Sequence, residues 1–68
     1  MFKISLAAAR VNVGLSQKEA AKALGVSNRT LVKWEKGLSF PKADKIELIC
    51  ALYRVPYELL NFLPLNSL

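Results

Sequence analysis

Apolar positions recur along the chain at helical spacing, in segments punctuated by glycines at 14, 25 and 37. Residues 3–13, rich in Leu, Ala and Arg, predict a first helix with Phe2, Leu6 and Val13 on its inner side. Gly14 stops it, because glycine takes the left-handed backbone that ends helices. Ser16-Gln17-Lys18-Glu19 reads as a capping box: the Ser16 hydroxyl accepts from the amide of residue 19, and the Glu19 carboxylate accepts from the amide of residue 16. The helix so started runs to Leu24, with Ala20, Ala21 and Leu24 inward, and Gly25 ends it. Ser27 caps a third helix over 28–36, whose Leu31 and Trp34 share one face, and Gly37 ends that. After a loop at 38–42 containing Pro41, residues 43–53 predict a fourth helix. Ala43, Ile46, Ile49, Cys50 and Tyr53 form its stripe, widened by Leu48 and Leu52. A stripe that broad predicts a central, mostly buried helix. Pro56 suits a first helical turn, so 56–62 predict a short fifth helix closed by Pro64. No alternation long enough for a strand, no internal repeat and no linker is evident. The expected fold is all-α, a compact five-helix domain over residues 1–68.

Length and composition narrow the function classes. A chain of 68 residues makes one small domain, burying only about 60 % of the surface its unfolded form exposes. Apolar residues make up 53 %, enough to fold rather than stay disordered. With no His and one Cys, a disulfide within the chain is excluded and a zinc site has almost no ligands, so no metal and no cofactor is expected. The start, Met1-Phe2-Lys3-Ile4-Ser5-Leu6, lacks the long apolar run and cleavage region of a signal peptide. No apolar stretch reaches the ~18 residues needed to span a bilayer. A cytoplasmic location without a membrane partner is expected. The acids show neither paired-carboxylate nor metal-ligand spacing. Cys50 lies on an apolar stripe with no histidine to activate it. No enzymatic activity and no small-molecule ligand are expected.

Charge adds a direction. Residues 1–45 hold nine of the ten basic side chains and three of the five acids. The remainder is nearly neutral and apolar. A basic front attracts a polyanion, and an apolar back suits a different partner.

The stretch Gln17 to Trp34 concentrates the chemistry. Two short helices meet at a Gly-containing turn, Leu24-Gly25-Val26-Ser27, where Ala21 permits close approach and Val26 plugs the angle. These are the parts of a helix-turn-helix, whose second helix enters the major groove. Through Gly14-Leu15-Ser16-Gln17, Ala21, Leu24-Gly25-Val26-Ser27, Leu31 and Trp34-Glu35-Lys36-Gly37, nearly the whole chain resembles the Cro/phage-repressor (XRE-like) family. The resemblance implies a lambda-repressor-like DNA-binding domain. It implies that Gln17 contacts a DNA phosphate and braces the recognition helix, that Ser27 contacts a second phosphate, and that Asn28, Arg29 and Lys33 read bases. It also implies that Arg10 and Glu35 form a partly buried ion pair joining helix one to the end of helix three. Helical rotation agrees, placing Asn28, Arg29, Val32 and Lys33 opposite Leu31 and Trp34. Arg29 suits guanine O6 and N7, Asn28 suits adenine, and Val32 suits a thymine methyl. Lys36, Ser39 and Lys42 flank that face and suit phosphate contacts, which position without specifying.

The leading expectation is a sequence-specific transcriptional regulator of repressor type, with double-stranded DNA as partner. The apolar back leaves two readings open. Either the tail folds over the core, or Tyr53, Pro56, Tyr57 and Leu60 help form the interface of a homodimer, at least on DNA. The competing function is a protein-interaction module, such as one half of a toxin–antitoxin pair or a small antirepressor, acting through that apolar surface.

Overall fold

The computed structural model describes residues 3–62. The chain runs β1 (Ile4–Ser5), α1 (Leu6–Asn12), α2 (Gln17–Leu24), α3 (Asn28–Glu35), α4 (Ala43–Tyr53), a single 3-10 turn (Tyr57–Leu59) and β2 (Leu60–Asn61). Phe2 lies outside the described residues, as do Leu63, Pro64 and Leu65.

Side-chain capping sets the helix starts. The Ser5, Ser16 and Ser27 hydroxyls accept from the amides of Ala8, Glu19 and Thr30 respectively. The capping box at Ser16 is complete, because the Glu19 carboxylate also accepts from the Ser16 amide at 2.9 Å. The Ser16 amide first, and the Ser16 hydroxyl beside it, hold the Glu19 carboxyl below its ordinary pKa.

Two expectations are corrected. The first helix begins at Leu6, not residue 3. Ser5 is its N-cap and is extended, so Ile4 and Ser5 are not helical. The chain over 56–62 is not a fifth helix. Pro56 is extended and precedes one 3-10 turn, after which Leu60 is again extended. The two extended segments pair as parallel strands, Ile4 opposite Leu60 and Ser5 opposite Asn61. The described domain thus has four α-helices and a two-residue parallel ribbon that ties its ends together.

The core is built from Leu6 and Ala9 of α1, Ala20, Ala21 and Leu24 of α2, Leu31 and Trp34 of α3, Ile49 and Tyr53 of α4, and Leu60 of β2. Full burial of two small residues, Ala20 and Ala21, lets α2 sit close against its neighbours. The fourth helix departs from the predicted burial. Only Ile49 and Tyr53 are buried, while Ala43 and Leu48 are exposed and Ile46, Cys50 and Leu52 half-buried. Its apolar residues extend around the helix, and so short a chain lacks the elements to cover more than one side.

Candidate nucleic-acid interface

The angle between α2 and α3 is fixed at residues 24–27. Gly25 adopts φ 73°, ψ 30°, a left-handed conformation that costs a side-chain-bearing residue about 1–2 kcal/mol. Its amide donates to the Lys22 carbonyl at 3.2 Å, and the Val26 amide donates to the Ala21 carbonyl at 3.0 Å. That pair of bonds is a Schellman motif, which turns the chain sharply out of the helix. Val26 is half-buried against the core. Ser27 then starts α3, and its hydroxyl donates to Thr30 Oγ1 at 3.0 Å while accepting from the Thr30 amide. The Lys45 ammonium donates to the Leu24 carbonyl at 2.8 Å.

With Leu31 and Trp34 buried, the opposite side of α3 is presented outward. Asn28, Arg29 and Lys33 are exposed and Val32 is half-buried. No acid lies among these positions. The acid of α3, Glu35, is turned inward. Arg10 Nε donates to Glu35 Oε2 at 2.7 Å, with the two side chains 12 % and 7 % exposed. Arg10 Nη1 donates to the Leu15 carbonyl at 2.8 Å, and Gln17 Nε2 donates to Glu35 Oε1 at 3.0 Å. One carboxylate therefore ties α1 and the start of α2 to the last turn of α3. Removing one partner from such a buried pair costs about 3–5 kcal/mol, because the other charge stays buried.

The expected phosphate-binding residues fall into two sets. Gln17 and Ser27 are engaged within the protein. Gln17 keeps a second amide hydrogen for another acceptor, whereas the Ser27 hydroxyl proton is already given to Thr30. Lys36 and Lys42 are exposed and Ser39 is half-buried. Lys36 follows α3, and a second Schellman motif there, Gly37 amide to Trp34 and Leu38 amide to Lys33, anchors the next loop to the end of α3. Lys42 occupies the N-cap of α4 without a side-chain capping bond. A cation is disfavoured there, at the positive end of the helix dipole. The strong N-capping residues are Ser, Thr, Asp and Asn.

The apolar back also divides. Tyr53 and Leu60 are each 3 % exposed, which corrects their assignment to a surface for a second copy. Tyr53 is the inward residue of the last turn of α4, and Leu60 enters the core as the first residue of β2. Half-buried Val55 and Phe62 also pack against the core, so this part of the tail folds back. Pro56 and Tyr57 are exposed. Tyr57 joins Ala43, Ile46, Glu47 and Cys50 around an open, mostly apolar groove beside α4. Burial, reinforced by Glu58, pushes the Cys50 thiol above its ordinary pKa. Among the described residues no group of His, Cys, Asp or Glu is placed to hold a metal ion, and no helix is long and apolar enough to cross a membrane.

A helix-turn-helix braced by a buried ion pair, with a cationic outer face of α3 that carries no acid, defines the class. The helix-turn-helix family profile matches residues 6–60, and the chain belongs to that family, in its Cro/phage-repressor (XRE-like) branch. Among curated proteins it is similar to the cryptic phage CTXphi transcriptional repressor RstR of Vibrio cholerae, with 36 % identity over 56 residues. The match covers 82 % of this chain and 50 % of that repressor, so the chain spans about half the length of this relative. No solved structure matches it.

Proposed function

We propose that this chain is a sequence-specific DNA-binding transcriptional regulator of repressor type, acting on double-stranded DNA in the cytoplasm. The observation that carries the reading is the outer face of α3. Asn28, Arg29 and Lys33 project from a helix held at both ends, with no carboxylate among them to repel phosphates. Arg29 bonds guanine, Asn28 bonds adenine, and Val32 offers its exposed part to a thymine methyl. Lys36, Ser39 and Lys42 grip the backbone beside the groove, and Gln17 adds its free amide hydrogen. The likeness to a phage transcriptional repressor supports repression as the outcome of binding. A second copy joins the chain on DNA, with Pro56, Tyr57 and the groove beside α4 as the surface available.

Selection from a randomised duplex pool at about 150 mM salt tests the reading, since specific sites exceed non-specific ones by ~10³ or more. The expected result is an enriched palindrome whose half-sites lie about one helical turn apart. A single enriched half-site would remove the dimer and keep the reader. No enrichment by a folded chain would overturn the DNA reading and favour a protein-binding module.

A further inference from the structure

We infer that Lys45 is a positioning residue for DNA recognition: from the fourth helix it locks the end of α2, and with it the angle at which α3 is presented. The inference rests on the DNA-binding function proposed above. The Schellman motif at Gly25 uses the carbonyls of Ala21 and Lys22, leaving that of Leu24 to find another donor. Lys45 Nζ supplies it at 2.8 Å from a half-buried position. A cation at the negative end of the α2 dipole is electrostatically favoured there.

The position of this bond gives it leverage. Leu24 is the last residue of α2, and Ser27, the cap of α3, follows three residues later. Among the described residues it is the one side-chain hydrogen bond from α4 to the helix-turn-helix. Otherwise α4 is held there by apolar packing, which has no direction of its own. Ile49, fully buried one turn further along α4, fixes the helix from which Lys45 reaches. A Cβ built at Gly25 would lie 3.5 Å from Nζ, so the ammonium rests directly on the turn. Base recognition needs its side chains held within about 0.5 Å of the productive geometry. A directional bond at the hinge between the two helices serves that need. Lys45 is thus one of the cations of the basic half whose charge is spent inward rather than on phosphate.

The test compares Lys45→Met, of similar length but uncharged, with Lys45→Arg, which keeps a charged donor. The probes are the duplex enriched by the wild-type chain and a scrambled duplex, at a temperature where circular dichroism shows every variant folded. Lys45→Met is expected to lower the preference for the enriched duplex roughly tenfold, and Lys45→Arg to restore most of it. The salt dependence of Lys45→Met should match that of wild type. Amide hydrogen exchange of Gly25 and Val26 in the free protein should be faster in Lys45→Met. Lys45→Gln, a neutral donor on a shorter stem, provides the same comparison if Lys45→Met does not fold. Equal losses on both duplexes with a salt slope smaller by ~0.9 would make Lys45 a phosphate contact and overturn the proposal. A lower melting temperature with unchanged preference would reduce it to a stability role and overturn it equally. If wild type itself enriches no duplex, the DNA reading fails and this role fails with it.

Discussion

The Tyr53 hydroxyl is buried without a hydrogen-bond partner among the described residues. Desolvation, with help from Glu35 and against the effect of Arg10, pushes its pKa up to about 12 from an ordinary 10.0. A buried, unpaired hydroxyl costs about 1–3 kcal/mol. Tyr53→Phe should therefore raise stability by roughly 1 kcal/mol, read as the urea midpoint near neutral pH. Because the folded pKa lies above the unfolded one, this group's contribution is fully present below pH 10.0 and is lost as pH rises through about 12. Wild type should thus lose more stability than Tyr53→Phe across that window, and parallel alkaline curves would contradict the assignment. Single residues were unevenly legible in the sequence. Leu31 and Trp34 could be placed inside from their spacing alone. That Gln17 would bond Glu35, and that Tyr53 would carry an orphan hydroxyl, depend on residues distant in sequence meeting in space, which no local pattern encodes.

Among the elements, α2, α3 and α4 were legible because their signals are local: a capping serine or loop proline before, an apolar face within and, for α2 and α3, a glycine after. The ribbon was not. Two-residue strands leave no alternation to detect, and Ile4 meets Leu60 only after the helices have packed. Ser5 was a readable signal, since a serine before a helix-forming Leu-Ala run is a capping residue. The end of α4 is unlike those of the first three helices. Arg54 takes the left-handed position at φ 57°, where Gly14, Gly25 and Gly37 stand after the others. The Val55 amide donates to the Cys50 carbonyl at 3.1 Å as the motif requires. Arg54→Gly should stabilise the domain by roughly 0.5–1 kcal/mol in a urea titration, relieving the left-handed strain of a residue with a Cβ. A destabilised variant would show that the Arg54 side chain matters more than its backbone. The start of α4 poses the opposite trade. Lys42→Ser should add about 0.5–1 kcal/mol by supplying a cap, yet weaken binding to every duplex and reduce the salt slope by ~0.9. Gain in both stability and affinity would remove Lys42 from the phosphate-binding set.

On the scale of the whole molecule, two sides with separate chemistry follow from how charge is distributed along the chain. The basic half becomes the helix-turn-helix, and the acid of α3, Glu35, is folded inward to Arg10 and Gln17 so that the outer face of α3 stays cationic. The apolar half becomes α4 and the returning tail, which seals the core and leaves the groove at Tyr57 open. This division was legible from charge order alone. The burial of α4 was not, because a broad apolar stripe looks the same whether a helix is central or half-covered. The claim on which the account turns is that α3 reads bases. Repeating the duplex selection with Arg29→Ala beside wild type tests it most directly. The account predicts that the variant still enriches the site but loses a guanine preference at one position of each half-site, with a loss of ~1–3 kcal/mol of discrimination there. An identical enriched sequence from both proteins, or an equal loss at every position, would contradict it.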